Sequence, residues 1–175
     1  GGGAVRVCVV GGGAAGMIAA AEAARAGHTV TLLEKNEKLG KKLYITGKGR
    51  CNVTNCAERD AFFAAVTHNP RFLYSAFAAF DNQAVQRLIE SLGVPLKTER
   101  GGRVFPASDK SSDILRALER YVRDSGVDVR LNTAVSAVCY ADGAVTGVRT
   151  GGAFLPAEAV VVATGGLSYP QTGST

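Results

Sequence analysis

VRVCVVGGGAAG, residues 5–16, decides the fold of this chain. Residues 5–10 are almost continuously apolar, which is typical of a parallel strand covered on both faces. The glycines that follow fit the pattern G-x-G-x-x-G, with Gly11, Gly13 and Gly16 in its three glycine places. We therefore expect a strand, a tight turn and a helix, the opening of a Rossmann-like α/β domain with a parallel sheet.

The spacing of these glycines suits a bound dinucleotide. Gly11 permits the tight turn out of the strand, and Gly13 lets the backbone approach a pyrophosphate. Gly16 lets the helix pack closely against the strand. The N-terminus of that helix, at Ala14 and Ala15, presents N–H groups and a partial positive charge to the phosphates.

An acid completes the pattern at the end of the second predicted strand. The helix spans residues 14–26 and ends at Gly27, and the strand spans residues 29–33. Glu34 follows, about 20 residues beyond the glycines, where a carboxylate accepts hydrogen bonds from a ribose 2′-OH. The same charge repels a 2′-phosphate, which favours FAD or NAD over NADP. The alternative is a flexible turn followed by a solvated strand end.

The composition is that of an ordinary globular domain. The chain has 175 residues, 46% of them hydrophobic, and a formal net charge of +5. One domain of good size is expected from this length. The basic excess suits an anionic cofactor, an acidic substrate or RNA, and does not choose among them. No apolar stretch reaches the length of a membrane span, so no membrane partner is expected.

The cysteines and histidines predict neither a disulfide framework nor a metal site. Cys8 and Cys139 lie in predicted strands and are expected to be small core residues. Cys51 and Cys56 have no second pair or neighbouring histidine to complete a metal site. A reducing cytoplasm is the simplest location for such a chain. His28 and His68 are expected at the surface, and no catalytic acid or base is identified.

The rest of the chain predicts further helices and a small antiparallel sheet. The aromatic spacing of residues 58–80 predicts two short helices broken at Asn69-Pro70, with packing favoured over ring binding. Two more helices are expected, one ending at residue 92 and one ending near Gly126. The predicted strands are residues 94–99 and 103–105 as a hairpin, 127–131 as a returning parallel strand, 135–140, 145–150 and 153–155 as a meander, and 159–163.

A basic segment, residues 35–55, follows the acid. In a dinucleotide fold it lies over the phosphates and the ring system, and Lys41, Lys42, Lys48 and Arg50 are able to contact phosphate oxygens. The backbone at Gly47 is able to approach a flat ring closely. A solvated basic loop is the equally weighted alternative.

Several motifs together resemble one family. These are GxGAAGM at residues 11–17, GKKxxxTGKGRCNVTN at 40–55, GRVFP at 102–106 and ATGGLSYPQTGS at 163–174. They are similar to those of the BaiN/RdsA-type NAD(P)/FAD-dependent oxidoreductases, a family of bacterial flavoproteins. The resemblance spans the whole chain and covers less than half of a family member. It implies that residues 1–175 are the N-terminal part of an FAD-binding Rossmann-like domain, with an inserted domain and a C-terminal FAD-binding segment elsewhere in the protein.

The resemblance also supplies part of the candidate site. It implies that Val135 lies near the adenine and that residues 164–166 lie on the flavin side. The complete set of candidate cofactor-binding residues is Gly11, Gly13, Ala14, Ala15, Gly16, Glu34, Lys35, Lys41, Lys42, Thr46, Gly47, Arg50, Cys51, Asn52, Val135, Ala163, Thr164 and Gly165.

The reaction that the resemblance implies is a reduction. FAD takes a hydride from NAD(P)H and passes it to a carbon–carbon double bond of a small organic substrate. No second G-x-G-x-x-G marks a separate nicotinamide domain. Two alternatives stay open: an RNA-modifying flavoprotein that forms dihydrouridine in ribosomal RNA, and a non-enzymatic dinucleotide-binding module. The residues by themselves support dinucleotide binding.

Overall fold

A computed structural model describes residues 3–41, 63–66, 82–163 and 171–172. In chain order the described elements are β1 (Arg6–Val10), α1 (Ala14–Arg25), β2 (Thr29–Leu33), β3 (Phe63–Val66), α2 (Asn82–Ser91), β4 (Leu96–Glu99), a 3₁₀ turn (Arg100–Gly102), β5 (Arg103–Pro106), α3 (Ser111–Asp124), β6 (Asp128–Arg130), β7 (Val135–Ala141), β8 (Ala144–Thr150), β9 (Ala153–Pro156), β10 (Ala159–Val162) and β11 (Gln171–Thr172).

The main sheet has the strand order β3-β10-β1-β2-β6. β1 pairs in parallel with β10 on one side and with β2 on the other, and β6 pairs in parallel with β2. The connection from β2 to β6 includes α3, as expected for a parallel crossover. This arrangement confirms the predicted Rossmann-like fold.

Side chains of β1 alternate between two buried layers. Val7 and Val9 belong to the core cluster that contains Met17 and Ile18 of α1 and the buried face of α3. Cys8 and Val10 belong to a second cluster, with the inner face of the β7–β8 hairpin. The central strand is therefore covered on both faces, which explains its continuous apolar run. Cys8 and Cys139 are both buried, as predicted.

The second layer is an antiparallel meander. β7 pairs with β8, and β8 pairs with β9, so the predicted meander is confirmed. Asp142 and Gly143 connect the first two strands, and both have positive φ angles, 53° and 76°. Two consecutive left-handed residues form the tight turn that matches the twist of a β-hairpin.

The segment between β3 and β6 places helices on the other face of the main sheet. β4 and β5 form the predicted antiparallel hairpin, and α2 and α3 are the predicted helices. The apolar face of α3 is buried, and α3 packs against α1. Within the described ranges, no helix combines the length and apolar character required to cross a membrane.

One prediction on the segment 58–80 was wrong. Residues 63–66 form a strand, not part of a helix, and this strand pairs antiparallel with β10 from Phe63–Val162 to Val66–Ala159. β10 would otherwise leave one row of backbone N–H and C=O groups unpaired at the edge of the sheet. Pairing with a short Phe- and Val-containing segment satisfies them, so tertiary context overrides a weak helical periodicity. The other residues of this prediction lie outside the described residues.

Candidate dinucleotide-binding site

The candidate site lies at the carboxyl edge of the parallel strands. Three strand ends are joined there by short backbone hydrogen bonds. The Gly11 N–H donates to the Leu33 carbonyl at 2.8 Å, and the Ala163 N–H donates to the Val10 carbonyl at 2.7 Å. The ends of β2, β1 and β10 are therefore held side by side. In open α/β sheets, ligands bind outside this edge.

The glycine turn, residues 11–16, disfavours side chains at its two ends, through the backbone conformation at Gly11 and through the lack of space at Gly16. Gly11 has a φ of +107°, a conformation that side chains disfavour. A Cβ on Gly16 would collide with the Gly11 carbonyl, and the same Cβ would lie 3.6 Å from the Cβ of Ala163. The turn therefore brings α1 against both β1 and the end of β10. Ala163 is placed beside the turn in this way.

The first turn of α1 presents backbone donors to the carboxyl edge. Gly13 is the N-cap residue and has no side chain to form a capping hydrogen bond. The Met17 N–H makes an intrahelical bond with the Gly13 carbonyl, at 2.9 Å. The N–H groups of Ala14, Ala15 and Gly16 precede it and have no acceptor within the helix. This end of the helix also carries a partial positive charge, so it suits an anion.

Glu34 lies next to the glycine turn, at the end of β2. Its side chain is buried, with 7% exposure. One carboxylate oxygen accepts the Gly12 N–H at 2.7 Å, and the other accepts the Asn36 N–H at 2.8 Å. These two bonds fix the orientation of the carboxylate. They also leave lone pairs for further donors, because an ionised carboxylate accepts about four hydrogen bonds.

Gly12 is in close contact with the loop after β2, which the sequence pattern did not identify, since Gly12 occupies a variable position of G-x-G-x-x-G. A Cβ there would lie 2.5 Å from Cδ2 of Leu39 and 3.1 Å from Oε1 of Glu34. The Gly12 carbonyl also accepts the Gly40 N–H at 2.7 Å. The loop after β2 thus folds back over the glycine turn. The triplet Gly11-Gly12-Gly13 was the available signal.

The connection after β6 reaches the same edge. The Glu34 N–H donates to the Arg130 carbonyl, and the Thr133 N–H donates to the Glu34 carbonyl, both at 2.9 Å. Val135 follows within two residues and is buried, in the same cluster as Val10 and Leu33. The Val135 side chain is therefore part of the core, while its backbone begins β7 beside the site.

Two of the three described lysines of the basic segment, Lys35 and Lys41, are candidates, and they are less tightly placed. Lys35 is exposed directly after Glu34. Lys41 forms an exposed ion pair with Glu37, at 3.2 Å, of the kind that contributes little to stability. The other candidates lie outside the described residues: Lys42, Thr46, Gly47, Arg50, Cys51, Asn52, Thr164 and Gly165.

His28 and Cys8 take part in the hydrogen bonding and packing of the fold. The Nδ1 atom of His28, a half-buried residue, accepts the Val5 N–H at 3.1 Å. Burial raises the pKa of the Cys8 thiol to about 12, opposed by the nearby Arg130 charge. In the part of the chain that the structure describes, no group of three His, Cys, Asp or Glu side chains is arranged to hold a metal ion. His68 and Cys56 lie outside that part.

The sequence and the fold match one known family. A family model described as the HI0933-like protein Rossmann domain matches residues 5–175, which is nearly the whole chain. The chain belongs to this family. Membership agrees with the BaiN/RdsA-type resemblance of the motifs and with the parallel sheet and glycine turn described above.

Two relatives carry names that describe reductive chemistry. The chain is 36% identical over 174 residues to the 3-dehydro-bile acid delta(4,6)-reductase of Clostridium scindens, a match that covers 97% of this chain and 41% of that protein. It is 32% identical over 167 residues to the ribosomal RNA dihydrouridine synthase of Escherichia coli, covering 95% and 41%. The chain therefore spans about two fifths of the length of these curated relatives.

Solved structures with the same fold include flavoproteins. The 3-ketosteroid-delta4-(5alpha)-dehydrogenase of Rhodococcus jostii RHA1 has a TM-score of 0.56 at 17% identity, with 91% of this chain and 44% of that chain covered. CtdE in complex with FAD has a TM-score of 0.51 at 20% identity, covering 90% and 37%. At such identities the likeness shows the fold alone.

Proposed function

We propose that this chain is the N-terminal FAD-binding part of a flavin-dependent reductase. In this proposal FAD receives a hydride from NAD(P)H and delivers it to a carbon–carbon double bond of a small organic molecule. Family membership and the reductase name of the Clostridium scindens relative support this reaction class. The chain's own residues support the binding of the cofactor.

The observation that carries the proposal is the convergence of two complementary groups at one edge. The first turn of α1 presents N–H groups where a pyrophosphate is held, and the Glu34 carboxylate lies at the end of the adjacent strand. The absence of a side chain at Gly16 lets α1 pack closely against the end of β1, and the absence of one at Gly12 leaves room beside the Glu34 carboxylate. These residues fit the adenosine diphosphate half of FAD, because they offer donors to phosphate and an acceptor to ribose.

The residues of the chain have distinct roles in this proposal. FAD supplies the hydride chemistry when it is bound. The N–H groups of Ala14 and Ala15 bind the pyrophosphate, and Glu34 accepts a hydrogen bond from a ribose hydroxyl. The N–H groups of Gly12 and Asn36 hold the Glu34 carboxylate in place. The Ala163 backbone, beside the glycine turn, begins the segment proposed to lie on the flavin side. Lys42, Thr46, Gly47, Arg50, Cys51, Asn52, Thr164 and Gly165 complete the proposed site.

The rest of the proposed FAD domain lies elsewhere in the protein. The curated relatives are more than twice as long as the matched region, which leaves room for an inserted domain and a further FAD-binding segment. We therefore expect tight flavin binding in the full-length protein. A cytoplasmic location belongs to the same proposal, in keeping with the reduced cysteines expected of it.

An absorption spectrum tests the proposal. The full-length protein, saturated with FAD and freed of excess by gel filtration, should retain the flavin bands. Glu34→Ala should lose most of them, because the ribose acceptor and the bond to Gly12 are both removed. Glu158→Ala is the matched control, since Glu158 is an exposed acid beside Arg6, at the opposite edge of the sheet. A wild-type protein that retains no flavin, or a Glu34→Ala variant that retains all of it, would contradict the proposal.

Ribosomal RNA is the second candidate substrate, favoured by the name of the Escherichia coli relative and by the net charge of +5. Affinity for an rRNA fragment should then fall steeply with salt, because phosphate contacts release counterions. Steady oxidation of NADH or NADPH by the full-length protein would exclude the third candidate, a non-enzymatic dinucleotide-binding module.

A further inference from the structure

The strand order predicts where the base of a bound dinucleotide lies. The proposed pyrophosphate contacts follow β1, and the proposed ribose acceptor, Glu34, follows the neighbouring strand β2. The next strand along the sheet is β6. A nucleotide that continues in the same direction across the carboxyl edge therefore brings its base to the residues directly after β6. This step rests on the proposed function.

Leu131 is the first residue after β6 and has an unusual exposure. Its exposed fraction is 38%, and it is the one large hydrophobic side chain classed as exposed among the described residues. A single exposed leucine on an ordinary surface needs no explanation. This one lies directly after β6, the strand next to β2 and so next in line after the proposed pyrophosphate and ribose contacts.

The loop that carries Leu131 is fixed by hydrogen bonds. The Thr133 hydroxyl donates to the Leu131 carbonyl at 2.9 Å. Asn132 has a φ of +52°, and its N–H donates to the Asn36 carbonyl at 2.9 Å. The Thr133 N–H donates to the Glu34 carbonyl, so the loop is joined directly to the residue proposed to hold the ribose. An anchored loop presents Leu131 without a large entropic cost on binding.

We propose that Leu131 contacts the adenine base of the bound cofactor and provides an apolar surface for the face of the ring. Val135, which the family resemblance places near the adenine, has a buried side chain. Leu131 supplies the side-chain contact that Val135 does not. It therefore determines preference for the adenine base, while Glu34 acts on the ribose.

The test measures nucleotide affinity by calorimetry on the full-length protein prepared without flavin. ADP and UDP are the probes, because they share the ribose and the diphosphate and differ in the base. Leu131→Ser should weaken ADP binding about fivefold to tenfold, the loss expected from a partly buried leucine contact. UDP binding should change less, since its smaller base covers less of the leucine. Leu131→Met, which keeps an apolar side chain of similar volume, should bind ADP within about twofold of the wild type.

Each result decides the proposal. Wild-type-like ADP binding by Leu131→Ser would overturn it and leave the proposed function intact. Equal losses of ADP and UDP, or an equal loss in Leu131→Met, would also overturn it, because the loop rather than the apolar contact would then be responsible. No ADP or FAD binding by the wild type would contradict the proposed function and this inference together.

Discussion

At position 16, the absence of a side chain allows α1 to lie against the end of β1. An added Cβ would collide with the Gly11 carbonyl, a backbone atom that cannot rotate away. We expect Gly16→Ala to lower the free energy of unfolding by about 1–3 kcal/mol, the usual cost of overpacking. Chemical denaturation followed by circular dichroism measures this change.

Gly152→Ala is the control for that measurement. Gly152 lies in the β8–β9 turn, and a Cβ there would have no neighbour within 4 Å. Its free energy of unfolding should stay within about 0.5 kcal/mol of the wild-type value. If the free energy of unfolding fell no more in Gly16→Ala than in Gly152→Ala, the collision at Gly16 would have been relieved by movement of the helix.

Cys8 gives a prediction about alkaline pH. Its burial raises the pKa of the thiol to about 12. Because the folded-state pKa lies above the unfolded value, the stability that Cys8 contributes is complete below about pH 8.5 and is lost as the pH rises towards 12. The advantage of the wild type over Cys8→Ala should therefore shrink above pH 9, by up to about 1.4 kcal/mol per pH unit. Urea unfolding of both proteins from pH 7 to 11 tests this, and curves that stay parallel would contradict it.

The sequence predicted the chemical groups of the site better than their contacts. Gly11, Gly16 and Glu34 were predicted as candidates because the motif fixes their spacing along the chain, and the structure brings them to one edge of the sheet. The role of Gly12 depends on Leu39 and Glu34, which fold over it from a loop more than 20 residues away. The two backbone bonds of the Glu34 carboxylate depend on the same loop. Contacts of this kind arise from the tertiary fold and have no local pattern.

Between elements, one polar contact ties α1 to α3. The Tyr121 hydroxyl donates to a Glu22 carboxylate oxygen at 2.6 Å, and the Arg25 guanidinium lies over the Tyr121 ring, 4.7 Å from its centre. Tyr121→Phe keeps the ring and removes the hydroxyl. We expect it to lower the free energy of unfolding by about 1–2 kcal/mol, because the hydrogen bond is to a charged group in a partly buried place.

Tyr140→Phe is the matched control for the helix contact. Tyr140 is a half-buried residue of the meander, packed against the core cluster on the other face of the main sheet from α1 and α3, so a change below about 0.5 kcal/mol is expected. The hydrogen bond itself is isolated by a double-mutant cycle with Glu22→Ala. Additive effects of the two substitutions would show that the contact contributes nothing to the α1–α3 packing.

Elements were predictable where the sequence pattern is long or specific. The β7–β8 hairpin follows from two alternating runs around Asp142-Gly143, and α3 follows from a strong 3.6-residue periodicity. β3 was missed because it has four residues, too few to establish either period. Its strand conformation depends on the free edge of β10, which comes about 95 residues later in the chain.

Across the described parts of the molecule, the layers leave the carboxyl edge of the main sheet uncovered by either face. Helices α1 and α3 cover one face of the main sheet and the meander covers the other, so the ends of the parallel strands are the place where backbone donors and an acid can meet a ligand. The first turn of α1, Glu34, Ala163 and Leu131 all lie at this edge. A ligand bound as proposed would contact three strand ends at once, and it should therefore stabilise the domain as a unit.

This coupling gives a prediction for the full-length protein. FAD at about 100 times its dissociation constant should raise the free energy of unfolding by about 2.7 kcal/mol, because a ligand that binds only the folded state stabilises it by mass action. Glu34→Ala should reduce this gain at the same FAD concentration, while Glu158→Ala should retain it. Chemical denaturation with and without FAD measures the gain. Stabilisation by NAD with none by FAD would instead indicate a nicotinamide-binding module, because the same glycine turn and acid accept the adenosine diphosphate half of either cofactor.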